Sequence, residues 1–315
     1  MSGEAEFIAA LRRIATDPMA RGLADDAAVL GDLVLTHDMI VEGVHFLSTD
    51  PPGDVAWKLV AVNLSDLAAK GAWPLAVLLG YTLAGEPGWD RAFLKGLAEV
   101  LDRFGVALAG GDTVAIPAGA PRALGLTAIG RAPAGGAPAR SGAHSGDMLF
   151  VAGTVGDAGV GLGIARGRRE GPAALLDAYR RPVPLLDVGR ALAPQVTAMM
   201  DISDGLLIDA SRLAAASDVA IAIDLDTIPL SSALIEYLGD DSEIRIQAAT
   251  SGDDYALLLT APGNQEATLL GICEPFRVRL TRIGRVARGS GLTLRDRDGT
   301  VPLPGRLGYE HGTDG

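Results

Sequence analysis

Seven aspartates in this chain stand at one end or the other of an apolar run. Asp25 and Asp26 precede AAVL, Asp38 closes LVLTHD, and Asp112 closes ALAGGD; Asp201 closes VTAMMD, while Asp253 and Asp254 precede YALLL. In TAMMDISDGLLID, residues 197–209, Asp201, Asp204 and Asp209 crowd together with no Lys or Arg among them. Short apolar runs of this kind read as strands, and strand ends form the rim at which open sheets build ligand sites. A fold that keeps these strands therefore gathers negative charge at its rim, and something positive has to balance it.

Each aspartate also has a plain structural reading. Ser203 or Asp204 can cap the helix that follows Gly205. Asp66, in NLSDLAAKG, can be a solvated helix charge, although Leu59, Val62, Asn63 and Lys70 share its side of the helix. Gly111-Asp112-Thr113 can be an ordinary turn. That account must be invoked separately at every position, whereas a bound hard cation accounts for all of them at once. Mg²⁺ takes oxygen ligands from carboxylates, hydroxyls and substrate phosphates, and Thr36 and Ser203 stand beside the aspartates. Zinc fits poorly: Cys273 is the only cysteine, and His37, His45, His144 and His311 show no paired ligand spacing.

The periodicities predict an α+β fold made of two α/β domains. In the first half, EAEFIAALRRIA is an amphipathic helix, and AAVLGDLVLTHD a strand pair turning at Gly31-Asp32. DVAWKLVAVNLSDLAAKG is a helix closed by Gly71. PLAVLLGYTL is a buried strand, and WDRAFLKGLAEVLDRFG a second helix ending at Gly105. VALAGGD is a short strand running into a glycine turn, and RALGLTAIGRA is a further strand. APAGGAPA, residues 132–139, holds no hydrophobic period and marks the boundary between domains 1–137 and 138–315. The second half reads as strands DMLFVAG, VTAMM, VAIAIDL, DYALLLTA, FRVRLTRIGRV and LTLRD, with helices around 172–193, over DGLLIDASRLAAAS and SEIRIQAAT, and over NQEATLLGIC.

A formal net charge of −12 argues against general binding to nucleic acid or anionic membranes. No apolar run is long enough to span a bilayer, and the N-terminus is acidic and amphipathic, so a soluble cytoplasmic protein is expected. There is no GxxxxGK[ST] loop and no protein-kinase motif set. The glycine-dense GTVGDAGVGLGIARG follows a strand and is open to a phosphate-cradling role, without the GxGxxG spacing of a dinucleotide fingerprint. Arg140, in ARSGAHSGD, is a candidate phosphate clamp.

Taken in order, DDAAVL, LTHDMIVEGVHF, AVNLSDLAAKGA, GGDT, RSGAHSGD, DISDGLLID and SGDDYALL resemble the thiamine-monophosphate kinases, from GEAEF near the start to GYEH near the end. These belong to the superfamily of aminoimidazole ribonucleotide synthetase. The resemblance implies an N-terminal domain that dimerises through its sheet and a C-terminal domain that closes over it. It implies ATP as co-substrate and several Mg²⁺ ions on Asp26, Thr36, Asp38, Asp66, Asp112, Asp201 and Asp204, assisted by the main chain or side chain of His37. Gly111, Asp112, Arg140 and Ser203 would touch ATP; His45, Asp253 and Tyr309 would hold thiamine monophosphate. Asp253 stands where the family commonly has Glu, one methylene longer. The implied reaction is direct in-line transfer of the γ-phosphoryl group, with no residue acting as nucleophile. The alternatives are another ATP-dependent member of the superfamily, or a divalent-cation-binding protein without activity.

Overall fold

The computed structural model describes residues 4–310, so His311 of the terminal motif lies outside the described residues. The first half contains α1 (Glu4–Leu11), β1 (Ala28–Leu30), β2 (Leu33–Val41), α2 (Pro52–Ala69), β3 (Trp73–Leu83), α3 (Pro87–Phe104), β4 (Ala107–Ala115) and β5 (Ala123–Arg131). Its strands form one mixed sheet in the order β1-β2-β5-β3-β4, with β1 and β2 joined by the expected hairpin. Gly31 takes the left-handed φ of +62° that this turn requires.

After the 132–139 connection come β6 (Asp147–Ala152), α4 (Asp157–Ala165), α5 (Ala173–Arg180), α6 (Leu186–Leu192), β7 (Ala198–Asp201), α7 (Leu206–Ser217) and β8 (Ala220–Asp224). The chain continues with α8 (Ser232–Leu238), α9 (Ser242–Thr250), β9 (Leu257–Pro262), α10 (Glu266–Cys273), β10 (Leu280–Ala287), β11 (Gly291–Asp296) and β12 (Gly299–Val301). These strands form a second sheet in the order β12-β11-β8-β10-β6-β9-β7. The fold is thus α+β with two mixed sheets. No helix among the described residues is long and apolar enough to cross a membrane.

Helix α2 sits between the two halves. It starts at Pro52 rather than Asp54, because proline at the first turn loses no hydrogen bond and presets φ. Every residue from Val55 to Ala69 is buried, as expected of a helix packed on all sides rather than along one stripe. Its partners are β2, β5 and α3 of the first half and α6 and β7 of the second. One apolar cluster accordingly runs from Val34 and Leu59 through Leu192 and Met199 to Leu257. At this level of packing Asn63, Ser65, Asp66 and Lys70 are buried too. Asp66 is therefore not a solvated face charge.

Strand β4 behaves in the opposite way. The GGD segment is not a turn: β4 runs straight through it to Ala115, with a register shift against β3 between Val77 and Leu78. Gly111 has φ +152°, and a Cβ there would lie 1.9 Å from the Leu79 carbonyl oxygen, so only glycine allows this close approach. All nine residues of β4 are exposed, including Leu108 and Val114 at about half of their full surface.

Candidate active site

The site forms where β2, α2 and β7 meet. Thr36 and Asp38 project from β2 on the side of α2: the Thr36 hydroxyl donates to the Asp66 carboxylate, and the Asp38 N–H donates to Asn63 Oδ1 at 2.9 Å. One residue before Asp66, the Ser65 hydroxyl donates at 2.6 Å to Asp201, the last residue of β7. Asp26, from the loop before β1, completes a group: Asp26, Asp66 and Asp201 offer carboxylate oxygens that all lie within 4.8 Å of one another.

Like charges this close disfavour ionisation, and burial adds to the penalty. Burial, then Asp38, Asp201 and Asp26, hold the Asp66 carboxyl well above the usual range. Burial and Asp26 push Asp201 up to about 8, against the Ser65 hydrogen bond and the charge of Arg140. Burial raises Asp38 as well, with Asp204 and Asp26 adding to it and His37 opposing. Among the described residues none of Asp38, Asp66 and Asp201 is ion-paired.

The protein does supply part of the missing positive charge. Arg140 donates from Nε to Asp26 Oδ1 at 2.6 Å, and Lys70 Nζ lies 2.6 Å from Asp26 Oδ2. In the 201–209 stretch, Arg212 pairs with both Asp204 and Asp209. The helix is also capped differently from the expectation. Gly205 occupies the cap position with φ +125° and no side-chain cap, while the buried Asp209 accepts the N–H groups of Ser203 and Asp204 at 3.1 Å each. Asp209, raised to about 6 by burial and Asp204, thus shapes the loop. Neither Lys70 nor Arg212 nor Asp209 was among the expected site residues. A lysine or arginine one or two turns along a helix from an aspartate is the signal that could have found them.

His45 and Asp253, both expected at the substrate, are linked by Lys58, which the sequence pattern does not single out. Buried Lys58 donates to the His45 carbonyl at 2.9 Å and to Asp253 Oδ2 at 2.7 Å; the Tyr255 hydroxyl donates to Asp253 Oδ1 at 2.9 Å. The Asp253 N–H donates to the Ser203 carbonyl, and the Tyr309 N–H to the Asp204 carbonyl, so the 203–205 loop joins Asp253 to Tyr309.

Three expectations meet a different geometry. The His37 side chain points to the opposite face of β2 from Thr36 and Asp38, where its Nδ1 lies 2.9 Å from the Thr127 hydroxyl; alternation along a strand forces this. Gly111 and Asp112 sit on the edge strand β4, three strands from β2 and so about 14 Å away across the sheet. The glycine-dense stretch is no phosphate cradle: the Gly156 N–H at the start of α4 already donates to the buried Asp254 carboxylate at 2.8 Å, so an anion of the protein occupies that place.

The donor set suits a hard divalent cation. It consists of carboxylate and hydroxyl oxygens, with Lys70 Nζ 2.6 Å from the buried Asp26 Oδ2. Asp26, Asp66 and Asp201 would hold such an ion, with Asp38 and Thr36 beside them.

With this geometry in hand, the comparisons are specific. Residues 24–132 match the AIR synthase related protein N-terminal domain, and residues 144–297 match the corresponding C-terminal domain. The thiamine-monophosphate kinase of Caulobacter vibrioides is 38% identical over 98% of this chain and 91% of its own length. This chain belongs to the thiamine-monophosphate kinase family. The Escherichia coli K12 member is 35% identical over 92% of the chain and 91% of its own length. The solved structure of AaThiL complexed with AMPPCP and TMP superposes with a TM-score of 0.83 at 30% identity, covering 98% of this chain and 97% of that one. The kinase from Stenotrophomonas maltophilia K279a superposes with 0.77 at 38% identity, covering 92% and 94%. At 20% identity and a TM-score of 0.72, hydrogenase maturation protein HypE shares the fold. In this chain the buried aspartates and Arg140 connect through the 201–205 stretch to Asp253 and Lys58.

Proposed function

We propose that this chain transfers the γ-phosphoryl group of ATP to the phosphate of thiamine monophosphate, giving thiamine diphosphate and ADP. The observation that carries this reading is the meeting of carboxylates from both halves, Asp26, Asp38 and Asp66 with Asp201, beside Arg140. Asp38, Asp66 and Asp201 have no ion-pair partner among the described residues, and such a group is costly unless cations enter with a polyphosphate. Bound divalent ions would neutralise the oxygens of ATP and of the acceptor phosphate, relieving the repulsion between two anions. Asp26, Asp66 and Asp201 would hold those ions. Arg140 would turn its guanidinium from Asp26 to a phosphate of the nucleotide, with Ser203 beside it. The acceptor oxygen is already anionic, so no general base is needed.

Lys58 and Tyr255 hold Asp253 while Lys58 holds the His45 loop, so the substrate contacts are positioned together. With both its oxygens taken by the protein, the short Asp253 side chain acts mainly by shaping the pocket.

Asp112 enters this reading through a second copy. Strand β4 exposes an unpaired edge, and Met39, Leu78, Leu108 and Val114 are exposed apolar side chains on the same sheet. An edge of this kind is normally covered. A two-fold dimer through this sheet would cover it and bring the partner's β4, carrying Gly111 and Asp112, toward β2 and the acidic pocket.

The test is one incubation with ATP, Mg²⁺ and thiamine monophosphate, separated by chromatography. Equal amounts of ADP and thiamine diphosphate are expected. Cation binding without either product would leave the cation-binding protein; ADP released only with a different acceptor would point to another member of the superfamily.

A further inference from the structure

Lys70, the residue that ends α2, is fully buried. Its ammonium group does not turn back to the carbonyls at the end of its own helix. It reaches Asp25 Oδ1, lies 2.6 Å from Asp26 Oδ2, and donates to the Met199 carbonyl of β7 at 3.0 Å. Three oxygens from two halves of the chain therefore surround one positive charge. Asp25 has a second cation of its own, Arg21 at 2.6 Å. Asp26, which shares the close group with Asp66 and Asp201, likewise has Arg140, so Lys70 is the cation common to Asp25 and Asp26.

From this we infer that Lys70 is a resident cation of the acidic pocket, standing where a divalent ion would otherwise bridge Asp25 and Asp26. It holds that pair together before any ligand arrives, and it limits how many divalent ions the pocket takes. Without the ammonium Asp25 would keep Arg21 and Asp26 would keep Arg140, but the one charge that bridges the two carboxylates would be lost in a medium that screens them poorly. The inference rests on the divalent-ion reading of Asp26, Asp66 and Asp201, and does not depend on which substrate is phosphorylated.

The test counts Mn²⁺ bound per chain in the absence of nucleotide, from the electron paramagnetic resonance of free Mn²⁺. It also follows thermal unfolding with chelator and with Mg²⁺. Lys70→Met is expected to bind about one Mn²⁺ more than the natural protein, since an emptied carboxylate bridge is a normal divalent site. It should also lose thermal stability in chelator and regain it in Mg²⁺, more than the natural protein does. Lys70→Arg should keep the natural count. An unchanged count in Lys70→Met, with the same Mg²⁺ effect on unfolding as the natural protein, would overturn the inference. If Lys70→Met folds only when a divalent ion is present, the inference stands; if it folds under neither condition, Lys70 fills space and the inference is wrong. Absence of any Mn²⁺ binding by the natural protein would instead remove the divalent-ion reading itself.

Discussion

Helix α2 and strand β4 are both apolar segments of the first half, yet one is buried at every position from Val55 to Ala69 and the other is exposed at all nine. Each carries an aspartate expected in the site, Asp66 and Asp112. The surroundings of α2 are completed by the chain itself, because both sheets pack onto it. Those of β4 are left incomplete, with an open edge and exposed Leu108 and Val114. The difference supports the proposal that the acidic pocket is built in two steps. Folding of one chain assembles Asp26, Asp38, Asp66 and Asp201; on the proposed reading, association with a second copy would deliver Asp112.

The largest effect that separates these two aspartates is on activity. Asp66→Asn and Asp112→Asn should each lower kcat about a thousandfold, or ~4 kcal/mol in barrier. Mixed and reassociated, the two inactive variants should recover roughly a quarter of the natural activity. Half the dimers would then be hybrids, each with one intact site. No recovery on mixing would mean that Asp112 acts within its own chain or not at all, and the contrast drawn here would fail. Leu108→Glu, placed on the open edge, should give a monomer by sedimentation that still folds.

A smaller effect follows from the carboxyls around α2. Asp201 is raised from an ordinary 3.8 to about 8, so between those values the folded chain holds a proton that the unfolded chain has released. The metal-free protein should therefore gain stability as pH falls from about 8 toward 4, and lose it again as pH rises through 8. Asp209, raised to about 6, contributes in the same direction over the lower part of that range. Saturating Mg²⁺, which competes with these protons, should flatten the dependence. Thermal unfolding against pH, with and without Mg²⁺, measures it; a metal-free protein that is instead most stable at high pH would contradict the geometry. Smallest of all, His37→Ala should change kcat by less than about twofold, because its imidazole lies across β2 from the aspartates.

Much of the fold was legible because local chemistry and tertiary packing agree. The Gly31-Asp32 hairpin, the close of α3 at Gly105 and the strand of YALLL all follow from turn residues and apolar runs. The clustering of aspartates at strand ends was also readable, and Asp26, Asp66 and Asp201 do meet. What could not be read depends on layers. A helix buried on every side gives no amphipathic stripe, so Asp66 admits a solvated reading beside the ligand one, and nothing in the pattern marks Lys58 as buried. The glycines of GGD looked like a turn, because glycine serves a close strand approach as readily as a reversal. The capping of the 203–205 loop by Asp209 was hidden for a similar reason: Ser203 and Asp204 are better-placed cap residues in sequence, and only the folded loop turns their N–H groups toward Asp209.

The central claim, that aspartates from both halves make one divalent-ion pocket, is tested most directly by Mn²⁺ titration of Asp66→Asn, Asp201→Asn and the double variant. If the pocket is shared, each single change removes the same bound ion and the double variant loses no more than either alone. Losses that add, one ion for each substitution, would show two separate sites and contradict the account.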